Sequence, residues 1–318
     1  MQISENQNIY SNSTQPSKKR KAMAAIAGAG IAGVPLAKIT YDSTKLLNAK
    51  QVQASAAFLQ RLMPDVDSFD NTISNANKIL DKTGLGKKGV KLFVSDNTPE
   101  SDHVLDSMFG KFTENKLIKN FKKLIQFGGN SAYLPDNKTI VMSDKALYTA
   151  VYHELGHASN ANGNKFTKLL QKSRILTPLG LPIIAPLVLA ASLLHNVDKS
   201  KSSEEKSKKE KTLDFVSKNA GKLTFATYLP ILAEEALASV KGVKYAKEFL
   251  KPEQLTKLKG NYKKAFGTYA QVAVITSAAV GLASIVADKI RNGSKHNHKI
   301  EDVLVSSESQ YAENQDIE

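Results

Sequence analysis

The chain has 318 residues, and its 44 lysines and arginines outnumber 30 acidic residues to give a formal net charge of +14. It contains no cysteine, which excludes disulfides and any thiolate metal site. Aromatic residues are sparse and no nucleic-acid motif interleaves with the lysines, so the basic excess points to an anionic membrane surface rather than to nucleic acid.

In chain order, residues 1–21 are a polar start closed by Lys18-Lys19-Arg20-Lys21, expected to be disordered. Residues 22–37 are small and apolar and read as a membrane-associating helix. They include Gly28-Ala29-Gly30-Ile31-Ala32-Gly33, formally a Gly-x-Gly-x-x-Gly. No strand pattern precedes it and no acidic residue closes a second strand about 20 positions on, so a dinucleotide site is excluded. Residues 38–174 read as one subdomain. Within it, Leu46, Leu47, Val52, Ala56, Leu59 and Leu62 keep helical spacing up to Pro64, and a second helix covers 68–80. Residues 90–94 read as a strand, His103 falls in the loop after it, and 115–127 has the spacing of a surface helix. Two β-prone runs, 131–134 and 138–142, flank the turn Pro135-Asp136-Asn137.

Next comes Val151-Tyr152-His153-Glu154-Leu155-Gly156-His157, inside a run, 144–158, that reads as a helix. Positions i and i+4 share a helix face, so His153 and His157 can both aim imidazole nitrogens at one Zn²⁺. Glu154, one residue round, can reach a water on that metal and act as general base. Gly156 removes bulk beside the second histidine. This His-Glu-x-x-His helix, with the two β-prone runs before it, resembles the core of a zincin metallopeptidase. The resemblance implies an edge strand that pairs with extended substrate. The metzincin continuation, a glycine and then a third histidine, is absent from Ala158-Ser159-Asn160-Ala161-Asn162.

A third ligand must therefore come from elsewhere, and Glu234-Glu235-Ala236-Leu237-Ala238-Ser239 offers two carboxylates. Either Glu234 or Glu235 completes a His₂Glu set. The stretch is similar to the Glu-x-x-Ala-Asp signature of the membrane-bound M48-type peptidases, which are gluzincins, and that similarity implies Glu235 as ligand. Ser239 stands where the signature has Asp, a departure at the position that supports a histidine.

Residues 175–194 carry no charge and are long enough to enter or cross a hydrocarbon layer, although Pro178, Pro182 and Pro186 break up a regular helix. Membrane hairpin, re-entrant dip and buried segment all remain open. Residues 195–212 read as a flexible Lys-rich loop, whose charge favours the cytoplasmic side. Residues 213–266 read as a helical subdomain bringing the third ligand, 268–287 as an apolar helix with the length of a transmembrane segment, and 288–318 as a polar disordered tail. Among its residues, His296 and His298 lack further ligands nearby in sequence.

The expected fold is α+β, mainly helical: a zincin-like core with a small β-sheet, plus hydrophobic membrane-associating helices. The expected function is a membrane-associated, zinc-dependent endopeptidase, with its active site on the cytoplasmic side. One catalytic Zn²⁺ would be held by His153, His157 and Glu235, with Glu154 as general base. A protein or peptide substrate and membrane lipids are the expected partners, and nucleic acid is not. The alternative is a non-catalytic membrane scaffold that keeps the fold.

Overall fold

The computed structural model describes residues 18–33, 46–96, 98–110, 116–174, 185–195, 202 and 204–292. Expectations for 1–17, 34–37, 175–184, 196–201 and the tail beyond Asn292, with His296 and His298, lie outside these residues. Helix α1 (Lys18–Gly28) takes in Lys18–Lys21, expected to be disordered, because the apolar run after them continues the helix, and it runs into a π-helical turn, Ala29–Gly33. Helix α2 (Ala49–Leu62) opens on a capping box between Asn48 and Gln51. Helix α3 (Phe69–Lys82) is capped by Ser68, and the chain after it turns left-handed at Gly84, φ 67°. Strand β1 (Lys91–Ser95) precedes helix α4 (Pro99–Phe109). That helix contains His103, expected in a loop: Thr98 caps it and Pro99 fits its first turn.

Helix α5 (Lys116–Gln126) is followed by strands β2 (Ala132–Leu134) and β3 (Thr139–Ser143). Helices α6 (Val151–Ala161) and α7 (Lys165–Ser173) come next, then α8 (Ala185–Leu194), the described part of the long uncharged run. Helix α9 (Lys208–Lys218) takes in the end of the stretch read as a Lys-rich loop. Ser207 and Glu210 form a capping box there, so the chain is helical from Lys208. Helices α10 (Ala220–Ala226) and α11 (Leu229–Ala246) lead to α12 (Pro252–Asn292). The expected break near residue 267 does not occur, since Gly267 lowers helix propensity but does not end a helix whose neighbours continue it.

The described residues form two compact units. One draws on segments within 36–184 and 225–275 and holds the sheet, in the order β1-β3-β2. Strand β3 lies parallel to β1 and antiparallel to β2, with Tyr133 opposite Ile140. All five β3 residues are buried, while β2 pairs only with β3 among the described residues and is an edge. The core beneath joins α3, β3, α6 and α11 through Ile79, Ile140, Met142, Tyr152, Leu155 and Ala246. Of the segments read as separate subdomains, 38–174 and 213–266, the part of the second from 225 on shares one core with the first because α6 and α11 pack along their lengths, while 213–224 falls in the other unit.

The other unit draws on residues within 1–35, 185–224 and 276–318. A Cβ on Gly221 would stand 2.8 Å from the Ser277 carbonyl and 3.1 Å from Gly281 Cα, so two helices meet there without side chains between them. Asp214 accepts from Lys206 and pairs with His195, each at 2.6 Å, which holds α9 against the end of α8.

Candidate metal centre

Helix α6 begins later than periodicity predicts. Leu147 is left-handed at φ 54°, a conformation no α-helix tolerates, and the chain tightens into a 3₁₀ turn, Tyr148–Ala150, before Val151. Ala150 supplies no side-chain cap. Asp65 does that work from a distance, accepting from the Thr149 N–H at 2.8 Å and the Thr149 hydroxyl at 2.9 Å. Replacing Asp65 with Ala strands both donors. We expect Asp65→Ala to cost about 1–3 kcal/mol, read as a lower urea midpoint at unchanged m-value.

Two glycines let α6 and α11 touch backbone to backbone. A Cβ on Gly156 would lie 2.1 Å from the Ala238 carbonyl, and one on Gly242 would lie 2.6 Å from the Tyr152 carbonyl. Gly156 therefore makes room for the neighbouring helix, rather than only beside the second histidine. This close crossing sets the phase of α11, so that Glu234 and Glu235 both point at the α6 histidines although neighbouring helix positions diverge by about 100°.

The two carboxylates take different places. Glu235 Oε2 lies 3.1 Å from His153 Nε2 and 3.7 Å from His157 Nε2. Glu234 Oε1 lies 2.8 Å from His157 Nδ1 and also accepts from Asn160 Nδ2 at 3.0 Å. With Glu234 ionised, the His157 tautomer that donates to it from Nδ1 presents the Nε2 lone pair toward Glu235. His153 is held in the same manner: Ser239 Oγ stands 3.1 Å from its Nδ1. Serine thus stands beside His153 at the position where the M48-type signature has aspartate. Arg174 spans both acids, with Nη2 at 3.0 Å from Glu235 Oε1 and Nε at 3.6 Å from Glu234 Oε2.

Glu154, His157, Asn160, Glu234 and Glu235 are buried and His153, Ser239 and Arg174 partly so, which weakens screening by solvent. Burial, with the Arg174 and His153 charges, keeps His157 well below the usual histidine range and hence neutral. Burial pulls His153 down too, but its hydrogen bond to Glu235 and the Glu154 and Glu235 charges more than offset this and raise it. Burial pushes Glu234 up against the pull of Arg174 and Asn160. Glu235 overcomes the same burial through His153, His157 and Arg174 and is held below the carboxylate range. Glu154 is pushed up to about 7, burial outweighing the charges of His153 and Arg174.

His153, Glu154 and His157 make one group that could hold a metal ion, and His157, Glu234 and Glu235 make a second that overlaps it. Nε2 of His153 and Nε2 of His157 both face Oε2 of Glu235. Their separations from Glu235, 3.1 and 3.7 Å, bracket the roughly 3.3 Å between ligands in a tetrahedral site with bonds of about 2.0–2.1 Å. The donor set therefore fits a divalent cation.

A cavity of about 300 Å³ opens beside the histidines. Leu59, Leu62, Met63, Leu258 and Ala265 give it apolar walls, and Arg174, Tyr262 and Tyr269 line it as well. Strand β2 also faces it, and the Tyr133 N–H donates to Glu154 Oε2 at 2.7 Å. Tyr228, just before α11, does not line the cavity. It packs with Ile231, Leu232 and Ala273. Arg174 and Asn160 escaped the sequence reading, though Arg174 is one of only four arginines in a lysine-rich chain, and Arg suits a fork onto two carboxylates.

No protein-family model matches the chain, and neither a curated protein nor a solved structure does.

Proposed function

We propose that the protein is a zinc-dependent endopeptidase of the gluzincin type, associated with a membrane, with His153, His157 and Glu235 as the ligands. The observation that carries this is the meeting of His153 Nε2, His157 Nε2 and Glu235 Oε2 beside a cavity, with Glu154 next to them. Zinc bound there would supply Lewis-acid polarisation of a peptide carbonyl and would acidify a water near neutral pH. Glu154 takes the proton of the attacking water and passes it to the leaving amine. The Tyr133 N–H orients Glu154 for both steps. Glu234 and Ser239 hold each imidazole so that Nε2 faces inward, and Arg174 keeps Oε1 of Glu235 occupied so that Oε2 is the ligand atom.

The order of elements supports the zincin reading: a mixed sheet, an antiparallel edge strand against the cavity, then the His-Glu-x-x-His helix. Substrate would lie along β2 as an added strand. Two helices, Ala220–Ala246 and Pro252–Ile290, are long and apolar enough to cross a membrane by length and composition. The first carries the buried Glu234 and Glu235 into a protein core, so we assign it to that core. Helix α12 exposes Leu282 and Ile285 and is the better lipid contact. The Lys-rich stretch before α9 favours a cytoplasmic site.

Metal analysis and casein hydrolysis test the proposal together. Wild-type protein should hold one zinc, His157→Ala should lose it, and Glu154→Gln should keep zinc while losing at least about a hundredfold in rate. Retained zinc with no proteolysis in any form would instead favour a scaffold with a structural metal.

A further inference from the structure

Helix α7 has two unlike faces. Leu170 and Gln171 are buried, whereas Phe166 and Leu169 are 62% and 65% exposed. Scattered exposed apolar residues need no explanation, but two large ones three positions apart on a nine-residue helix make a patch. Lys165, Lys168 and Lys172 are exposed on the same helix. At about 100° per residue the three lysines fan out on one side of Leu169, with Phe166 on the other. No acidic residue occurs anywhere from 155 to 197, so this positive charge has no counter-charge nearby in sequence.

Exposed apolar side chains flanked on one side by lysines, without acids nearby in sequence, have the chemistry of a helix that lies in a bilayer interface and contacts anionic headgroups. We infer that α7 is the surface by which this protein docks on an anionic membrane. Phe166 and Leu169 enter the boundary between headgroups and acyl chains, and Lys165, Lys168 and Lys172 meet lipid phosphates and carboxylates. The helix runs directly into Arg174, whose guanidinium is 3.0 Å from Glu235. Docking would therefore hold the metal centre at headgroup height, where membrane-proximal segments of other proteins become the accessible substrates. The surface is assigned independently of the hydrolase reading, and its test involves no proteolysis.

The chain has no tryptophan, so Phe166→Trp in the full-length protein gives a fluorophore that reports on this face alone. We expect F166W emission to shift to the blue with vesicles containing about a third phosphatidylserine and to stay fixed with pure phosphatidylcholine. The shift should vanish when K165E, K168E and K172E are added to F166W. In a separate flotation assay, F166S/L169S should weaken binding to the anionic vesicles about tenfold or more, with circular dichroism confirming that it folds. Flotation of F166W without any change in its emission would overturn the assignment. So would an equal shift with neutral vesicles, or a shift seen only on adding another protein.

Discussion

Gly156→Ala is expected to destabilise the metal-bearing unit by at least about 3 kcal/mol and to abolish stoichiometric zinc binding. The new methyl group would stand 2.1 Å from the Ala238 carbonyl, far inside contact distance, and the obstacle is backbone that no rotamer change can move. Helix α11 would have to retreat or turn, and either motion carries Glu235 away from the imidazoles. For a unit of about 200 residues the loss corresponds to a fall in melting temperature of roughly 6–12 °C. Gly242→Ala, which meets the Tyr152 carbonyl at 2.6 Å, should act in the same direction. A Gly156→Ala protein that melts normally and binds one zinc would disprove this account of how the helices meet.

Glu235→Gln should reduce zinc affinity far more than Glu234→Gln does. The first removes an anionic ligand atom. The second leaves an amide oxygen that still accepts from His157 Nδ1, so its loss should fall near the tenfold to hundredfold typical of groups that orient a ligand. Competition against a chelator gives both constants, and the reverse ranking would move the metal to Glu234. The same assay has a predictable pH dependence. Zinc must displace the proton on His153, whose affinity for it is raised, and is opposed by protonation of Glu154, which has been pushed up to about 7. Protons compete more strongly as pH falls, so affinity should drop steadily from pH 8 to pH 6. Affinity that held constant over this range would show that His153 does not bind the metal.

The helical class, the small sheet and the hairpin before α6 could be read from the sequence because each rests on local signals. Residues 131–134 and 138–142 are β-prone runs around a proline turn, and residues 117–125 keep one apolar helix face. The candidate metal-binding helix was equally visible, since i,i+4 histidines lie within one turn. The choice between Glu234 and Glu235 was not, because it depends on the rotation of α11, which two glycines in contact with distant carbonyls determine. Asp65 and Arg174 were hidden for a similar reason. Both act across long sequence separations, Asp65 on Thr149 and Arg174 on Glu235, and no period or cap motif marks them. Local chemistry also ran against the reading where His103 and Lys208 became helical, each on the strength of a hydroxyl cap just upstream.

Arg174 has a bearing on which ions the protein can accept. Glu154, Glu234 and Glu235, when all ionised, bring three negative charges, and the guanidinium removes one. A doubly charged ion would leave this largely buried site electrically neutral, whereas sodium or a trivalent lanthanide would leave an unbalanced charge that is costly away from bulk water. The arginine would then act as a valence filter: a neutral side chain at 174 should shift preference toward more highly charged ions.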